Sequence, residues 1–249
     1  MSEQFIIGVT GIMGSGKTYL ANKLVEHSKK VCENYNTTIR NQAEAFVPEI
    51  KQNILKTHLN NSAYAIHNIE LDDVAKDILY SEEFTEKYSP LRKKVKEVFG
   101  TNQMSEMANI LFSSQENIDK MRHLIYPYIT SELRTRTRNL KGIILINSAT
   151  LIESNMLRTV SNNLILVSTD TKFRQKNLQD KRGYSPEDTD KRLNFVYSIE
   201  EKERKHEEAV KKEGYGCLIK TNGQKASDED YIEKIYNTLF SIFSGELTE

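Results

Sequence analysis

Near its beginning the chain reads Gly11-Ile12-Met13-Gly14-Ser15-Gly16-Lys17-Thr18, which fits the phosphate-binding pattern G-x-x-x-x-G-K-[ST]. The apolar residues at 5–9 predict a short buried strand, and residues 19–27 have the apolar spacing of a helix. The pattern works in this order of strand, glycine-rich turn and helix, because the turn then lies at the N-terminus of the helix. We therefore interpret residues 11–18 as a phosphate-binding loop, called the P-loop below, rather than as an ordinary glycine-rich turn.

The residue types of the P-loop explain how it would hold a nucleotide. Its glycines adopt backbone conformations that residues with a Cβ avoid, so successive N–H groups can point towards a phosphate. We expect Lys17 to reach the β- and γ-phosphates and Thr18 to hold Mg²⁺ through its hydroxyl. The predicted ligands are ATP and Mg²⁺, and the predicted nucleotide-binding residues are Gly11, Gly14, Ser15, Gly16, Lys17 and Thr18.

The composition is that of a globular protein without a broad charged surface. Of the 249 residues 38% are apolar and 28% are charged, and 35 basic residues balance 35 acidic ones, which argues against nucleic acid as a partner. Cys32 and Cys217 share no close spacing with each other or with the histidines, so neither a disulfide nor a zinc site is predicted. No run reaches the roughly 18 apolar residues that span a membrane, and the first strand leaves no room for a signal peptide. We expect a cytoplasmic protein with small-molecule partners and no membrane partner.

Apolar runs that alternate with helical patterns predict the rest of the sheet. Residues 142–146 and 164–167 are typical of buried strands, and 218–219 of a last, weaker strand. Residues 151–160 suit a crossover helix, and Ser227 suits the cap of a C-terminal helix. The prediction is an α/β protein with a three-layer P-loop NTPase fold and a parallel sheet of about five strands.

Two stretches interrupt this alternation. Residues 33–68 are polar, with a helix possible around 49–59, and we interpret the stretch as an insertion. Residues 73–138 predict a series of helices, one of them opened by Pro90 and two of them joined at Tyr126-Pro127. The joint is predicted because proline disfavours helix in the residue before it and suits the first turn of a new helix.

A basic segment follows the strand at 164–167. It carries Arg174, Lys176, Lys181 and Arg182, and a strong helix start follows at Ser185-Pro186. One interpretation is a solvated, charged helix face. The other is a mobile lid over residues 171–200 that brings guanidinium groups to a transferred phosphate. The P-loop favours the lid, and Arg182 is its predicted catalytic residue.

In their order along the chain, these segments resemble the dephospho-coenzyme A kinase family of P-loop small-molecule kinases. Besides the P-loop, the resemblance rests on Ile69-Glu70-Leu71-Asp72, Leu111-Phe112-Ser113, Tyr126-Pro127, Leu151-Ile152-Glu153 and Ile199-Glu200-Glu201-Lys202. Each motif is short, and their shared order gives the resemblance its specificity. It implies transfer of the γ-phosphate of ATP to the ribose 3′-hydroxyl of dephospho-coenzyme A, the last step of coenzyme A biosynthesis.

The resemblance also implies an acceptor side for the site. It makes Asp72 the carboxylate that orients or deprotonates the acceptor hydroxyl, beside Lys17 and Arg182, the catalytic residues predicted from the P-loop and the basic segment. It implies substrate-binding roles for Glu70, Tyr126 and Glu153. Asp72 also suits a helix N-cap, and one residue can do both. Glu153 also suits a helix start.

The implied organisation is a P-loop kinase core formed by 1–72 and 139–249, with 73–138 as a helical acceptor-binding region. The chain departs from the family at Tyr126, where histidine is usual, and at Asn177 and Lys181, where arginines are expected. Two further hypotheses therefore stay open. One is a related kinase for a nucleoside or nucleotide acceptor. The other is a nucleotide-binding module that contacts a protein partner without catalysis.

Overall fold

The computed structural model describes residues 4–45, 47–58, 64–182, 189 and 193–245. In this part of the chain five parallel strands form one sheet in the order β2-β3-β1-β4-β5. The strands are β1 (Gln4–Gly11), β2 (Ile66–Glu70), β3 (Gly142–Asn147), β4 (Leu164–Ser168) and β5 (Leu218–Asn222). The first strand is therefore the middle one, and the predicted parallel α/β fold is confirmed.

Helices cover both faces of the sheet. They are α1 (Lys17–Ala43), α2 (Pro48–His58), α3 (Leu71–Tyr80), α4 (Thr85–Phe99), α5 (Met104–Leu111), α6 (Gln115–Thr137), α7 (Thr171–Arg182), α8 (Ile199–Glu213) and α9 (Glu229–Ser244). Side chains of β3 alternate between two apolar clusters, because successive residues of a strand point to opposite faces. Ile143 and Leu145 pack in the cluster of α1 and α9, whereas Ile144 and Ile146 pack in that of α3, α4 and α6.

The expected joint at Tyr126-Pro127 is wrong, because α6 runs without a break through Pro127. A proline inside a helix removes one backbone hydrogen bond and crowds the preceding turn. Here a buried stripe at four-residue spacing continues past it, formed by Met121, Ile125, Ile129 and Leu133. Packing of this stripe outweighs the local preference of the proline. Pro90 likewise lies inside α4 rather than opening it.

The link between β3 and β4 differs from the predicted crossover helix. Residues 149–155 form turns, and Leu157–Val160 is a short 3-10 helix. Asn155, Ser161 and Asn162 have positive φ angles, which end a right-handed helix at those points. The predicted N-cap residue of α9 is also wrong. The N-cap is Asp228, whose side chain accepts from the N–H groups of Asp230 and Tyr231, rather than Ser227.

The stretch predicted as an insertion is largely helical where it is described. The first helix extends to Ala43, α2 follows, and β2 begins at Ile66. The two helices pack against each other. No helix in the described ranges combines the length and the hydrophobicity that crossing a bilayer requires.

Candidate active site

The P-loop lies at the carboxyl end of the central strand. Gly14 and Gly16 have φ angles of 81° and 89°, a conformation that glycine adopts without strain. The Ser15 N–H donates to the Ile12 carbonyl at 3.1 Å, and α1 begins immediately afterwards. The first N–H groups of a helix have no partner within the helix. The loop therefore lies at the positive end of α1, a position that suits a phosphate.

Two neighbouring segments hold the P-loop in place. A Cβ on Gly11 would lie 2.2 Å from the Val167 carbonyl oxygen at the end of β4. A Cβ on Gly223, just after β5, would lie 1.8 Å from the carbonyl oxygen of Ser15. Both positions admit only glycine in this packing. The loop is thus enclosed by the ends of β4 and β5.

Lys17 and Thr18 connect the P-loop to β2. The Lys17 ammonium donates to the Ile12 carbonyl at 3.3 Å, across the loop. The Thr18 hydroxyl and the Lys17 charge both lie close enough to the Glu70 carboxylate to lower its pKa. The structure therefore brings together Lys17, Thr18 and Glu70, which the sequence had placed on different sides of the reaction.

Glu70 ends β2 and lies among amide side chains. Its Oε1 accepts from Asn147 Nδ2 at 2.7 Å and from Asn68 Nδ2 at 3.2 Å. Burial raises the pKa of Glu70, and hydrogen bonds from Asn68 and Thr18 oppose that rise. The two asparagines were missed by sequence reasoning. Asn147 gives a signal, because it is a polar residue at the end of the otherwise apolar strand β3, whereas Asn68 lies in the middle of β2, next to His67, and gives none.

Asp72 lies two residues beyond Glu70, in the first turn of α3. It is exposed, and its charge acts on Glu70. Glu70 itself occupies the N-cap position, without a capping hydrogen bond from its side chain. An acidic residue in the first turn of a helix also interacts favourably with the helix dipole. Asp72 therefore combines this helix position with access to solvent, close to the Glu70 carboxylate.

Glu153 lies in the turns after β3 and is bound by the protein itself. Its Oε1 accepts from Lys202 Nζ at 2.5 Å and from the Tyr197 N–H at 2.7 Å. Its Oε2 is buried and has no hydrogen-bond partner among the described residues. The Lys202 ammonium also donates to the Ala149 carbonyl at 2.8 Å, and that carbonyl accepts from Thr10 on β1 at 3.2 Å.

Tyr126 lines a cleft between α6 and the turns after β3. Its hydroxyl hydrogen-bonds the Ser154 hydroxyl, and burial raises its pKa. The cleft has a volume of about 510 Å³, and Arg122, His123 and Glu153 also line it. A second groove, of about 730 Å³, follows the outer edge of β2 and includes Glu70. Both concavities lie next to parts of the predicted acceptor side.

The basic segment begins in α7, which packs on the P-loop. Asn177 Nδ2 donates to the Gly14 carbonyl at 3.0 Å. Arg182 is the last residue of α7, and its side chain lies outside the described part of the chain. The predicted helix start at Ser185-Pro186 also lies outside it. The role of Arg182 therefore stays a prediction.

Comparison with known proteins identifies a family whose model matches this chain. The family model for dephospho-CoA kinase matches residues 51–215. The match begins after the P-loop, so the pattern at 11–18 is separate support. No curated protein matches the chain. Among solved structures, the crystal structure of TT1252 from Thermus thermophilus is similar at 17% identity, over 100% of both chains, with a TM-score of 0.59.

A likeness to a solved structure at this identity shows a common fold only. The family model shows membership of the family as well, because its match covers well over half of the chain. With its parallel sheet and its P-loop, the protein belongs to the dephospho-CoA kinase family and is a kinase, a phosphotransferase.

Proposed function

We propose that the protein transfers the γ-phosphoryl group of ATP to the ribose 3′-hydroxyl of dephospho-coenzyme A, the last step of coenzyme A biosynthesis. The observation that carries the proposal is that the Glu70 carboxylate, at the end of β2, lies close enough to Thr18 and Lys17 of the P-loop for both residues to lower its pKa. This proximity joins the predicted donor side to the strand end that carries Asp72. Phosphoryl transfer requires such a juxtaposition of bound phosphate and acceptor group.

Each group then has a defined task. The P-loop amides and Lys17 hold the β- and γ-phosphates of ATP. Asp72 orients the acceptor hydroxyl and takes its proton as the hydroxyl oxygen bonds to the γ-phosphorus. The bond between that phosphorus and the β–γ bridging oxygen breaks, and ADP leaves. Because Asp72 is exposed, it can meet an acceptor without displacing packed side chains.

The oxygen groups beside the P-loop fit Mg²⁺. Thr18 supplies a hydroxyl, Glu70 a carboxylate, and the amide oxygen of Asn147 is buried without a partner among the described residues. Hard oxygen ligands of this kind suit Mg²⁺, which keeps several waters and phosphate oxygens. Bound there, Mg²⁺ would neutralise charge on the transferring phosphate. The described residues hold no cluster of three or more His, Cys, Asp or Glu that would favour another metal.

For the acceptor we propose the region 73–138, with the cleft beside Tyr126 and Glu153. Arg122, which is paired with Asp119 at 3.1 Å, places a guanidinium in this cleft near the Tyr126 hydroxyl. The diphosphate of dephospho-coenzyme A is an anion that such a group can bind. The basic segment at 171–200 remains the proposed lid, with Arg182 as its predicted phosphate contact.

A second candidate is a related kinase for a nucleoside or nucleotide acceptor. The observation that favours it is the Tyr126 hydroxyl, which is already engaged by Ser154 where the family usually has histidine. A changed donor at this place would change the acceptor while leaving the P-loop intact.

A coupled assay tests the proposal. Purified protein, ATP and Mg²⁺ are combined with dephospho-coenzyme A or with a panel of nucleosides and nucleotides, and ADP release is followed. We expect dephospho-coenzyme A to be the best acceptor and Lys17→Ala to be inactive. A nucleoside as best acceptor would support the second candidate, and no turnover above the Lys17→Ala background with any acceptor would refute both.

A further inference from the structure

One face of α7 packs directly on the P-loop. A Cβ on Gly14 would lie 2.9 Å from Arg174 Cγ, 2.9 Å from Leu178 Cγ and 3.0 Å from the Arg174 carbonyl oxygen. Leu178 is fully buried there. Asn177, on the same side of the helix, donates to the Gly14 carbonyl. The Arg174 side chain is therefore fixed beside the backbone that would surround a phosphate.

The guanidinium of Arg174 contains an unused donor. Its Nε is buried and has no hydrogen-bond partner among the described residues. An unpaired buried donor costs free energy, and the cost is larger when the group carries a charge. Proteins rarely keep such a group unless something absent from the structure satisfies it. The neighbouring P-loop is built to hold an anion.

The other described basic side chains of α7 differ from Arg174 in their exposure to solvent. Lys172 and Lys176 are exposed, whereas Arg174 is half-buried against the loop. Arginine also suits the place, because its planar fork of donors matches two phosphate oxygens at once. The contrast argues that Arg174 is distinct from the general basic character of the segment.

We propose that Arg174 is a catalytic residue that donates hydrogen bonds from its guanidinium to the phosphates of the nucleotide in the P-loop. The inference rests on the proposed binding of ATP there, but not on the identity of the acceptor. It assigns a phosphate contact to the beginning of the basic segment, two turns before Arg182. Asn177 and Leu178 hold α7 so that the contact is in place before the nucleotide arrives.

Binding measurements without an acceptor test this. Calorimetry of Mg²⁺–ADP and of tripolyphosphate is compared for the wild type, Arg174→Met, Arg174→Lys and the control Lys176→Met. Methionine keeps the unbranched stem against Gly14 and removes the donors. We expect Arg174→Met to weaken both ligands about 10- to 100-fold, as the loss of charged hydrogen bonds implies. Arg174→Lys should recover part of the loss, and Lys176→Met should bind like the wild type.

Thermal unfolding of the ligand-free variants shows whether the fold is kept. The inference is overturned if Arg174→Met unfolds at the same temperature as Lys176→Met and binds Mg²⁺–ADP and tripolyphosphate with the affinities of the wild type. Tripolyphosphate has no base or sugar, so a weaker affinity of Arg174→Met for tripolyphosphate identifies a phosphate contact. Failure of the wild type to phosphorylate dephospho-coenzyme A while it binds ADP would refute the proposed function alone. A wild type that binds neither ligand would refute both.

Discussion

Lys202 Nζ lies 2.5 Å from Glu153 Oε1, and the two side chains are 0% and 2% exposed. Burial lowers the pKa of Lys202, and the Glu153 charge opposes that change. The same ammonium donates to the Ala149 carbonyl, and Glu153 accepts from the Tyr197 N–H. The pair therefore ties α8 and the residues before it to the turns that follow β3, beneath the proposed acceptor cleft.

Lys202→Met should destabilise the protein by about 3–5 kcal/mol, because it leaves the Glu153 carboxylate buried without its cation. The double variant Lys202→Met with Glu153→Gln should be less destabilised than the single one. Its neutral amide removes the buried charge and can still accept from Tyr197. Urea unfolding measures both effects. The control is Lys220→Met, which breaks a partly exposed pair with Glu203 and should cost at most about 1 kcal/mol. Equal losses for Lys202→Met and Lys220→Met would contradict the prediction.

Gly14→Ala should weaken nucleotide binding and reduce stability. The new Cβ would meet Arg174 and Leu178, and the φ of 81° adds roughly 1–2 kcal/mol of strain for alanine. Gly100→Ala is the matched control, because Gly100 has a φ of 77° and nothing within 4 Å of its Cβ. Both variants should be less stable than the wild type, because alanine is strained at a positive φ angle. Only Gly14→Ala should lose affinity for ADP, measured by calorimetry, and an unchanged affinity would show that α7 can move without cost.

Glu132 should make stability depend on pH. Burial would raise its pKa, but hydrogen bonds from Lys87, Tyr88 and Arg136 outweigh that effect and lower the pKa to about 2. A carboxyl whose pKa is lower in the folded state stabilises the protein above its ordinary value of 4.5. A shift of this size corresponds to about 3 kcal/mol, which is lost as pH falls from 4.5 towards 2.

Urea unfolding at several pH values compares the wild type with Glu132→Gln. The difference in unfolding free energy should be large at neutral pH and should shrink as the solution is acidified. Glu116→Gln, on the same helix but exposed, is the control and should change the free energy less. A difference that is constant with pH would mean that the Glu132 charge does not contribute.

The two carboxylates after β2 should affect activity in different ways. Asp72→Asn should lower kcat about 10²- to 10⁴-fold with ATP binding kept, since it removes the proposed proton acceptor. Asp73→Asn is the control, because Asp73 lies beside it and is paired with Lys76. Glu70 has a raised pKa, so the wild-type rate should fall with acidification through a pKa above the ordinary 4.5. Glu70→Gln should lower the rate and remove that dependence. An equal effect of Asp72→Asn and Asp73→Asn would argue against the proposed role.

The core of the fold and the P-loop were predictable because both depend on local patterns. The unbroken apolar run at 143–146 in β3 predicts a strand covered on both faces, and the glycine spacing predicts the P-loop. The prolines were misjudged for the opposite reason. Pro127 disfavours helix locally, but the buried stripe from Met121 to Leu133 is a property of the packed molecule.

The contacts of the site were harder to predict from the sequence, because they join segments that are far apart in the chain. Glu70 was expected on the acceptor side, yet Thr18 and Lys17 of the P-loop lie close enough to lower its pKa. Its partner Asn147 is the last residue of β3, and only the order of the strands makes them neighbours. Lys202 was part of a motif without a known partner, and the partner proved to be Glu153.

The contact of Gly223 with Ser15 has a consequence for synthesis of the protein. The P-loop follows β1 and is therefore synthesised before the other four strands, but the segment that closes over it comes after β5. A nascent or truncated chain that lacks Gly223 has the complete sequence pattern and an unfinished cradle. We therefore expect nucleotide to bind only after β5 has been synthesised, and the ligand to stabilise chains that have reached that strand.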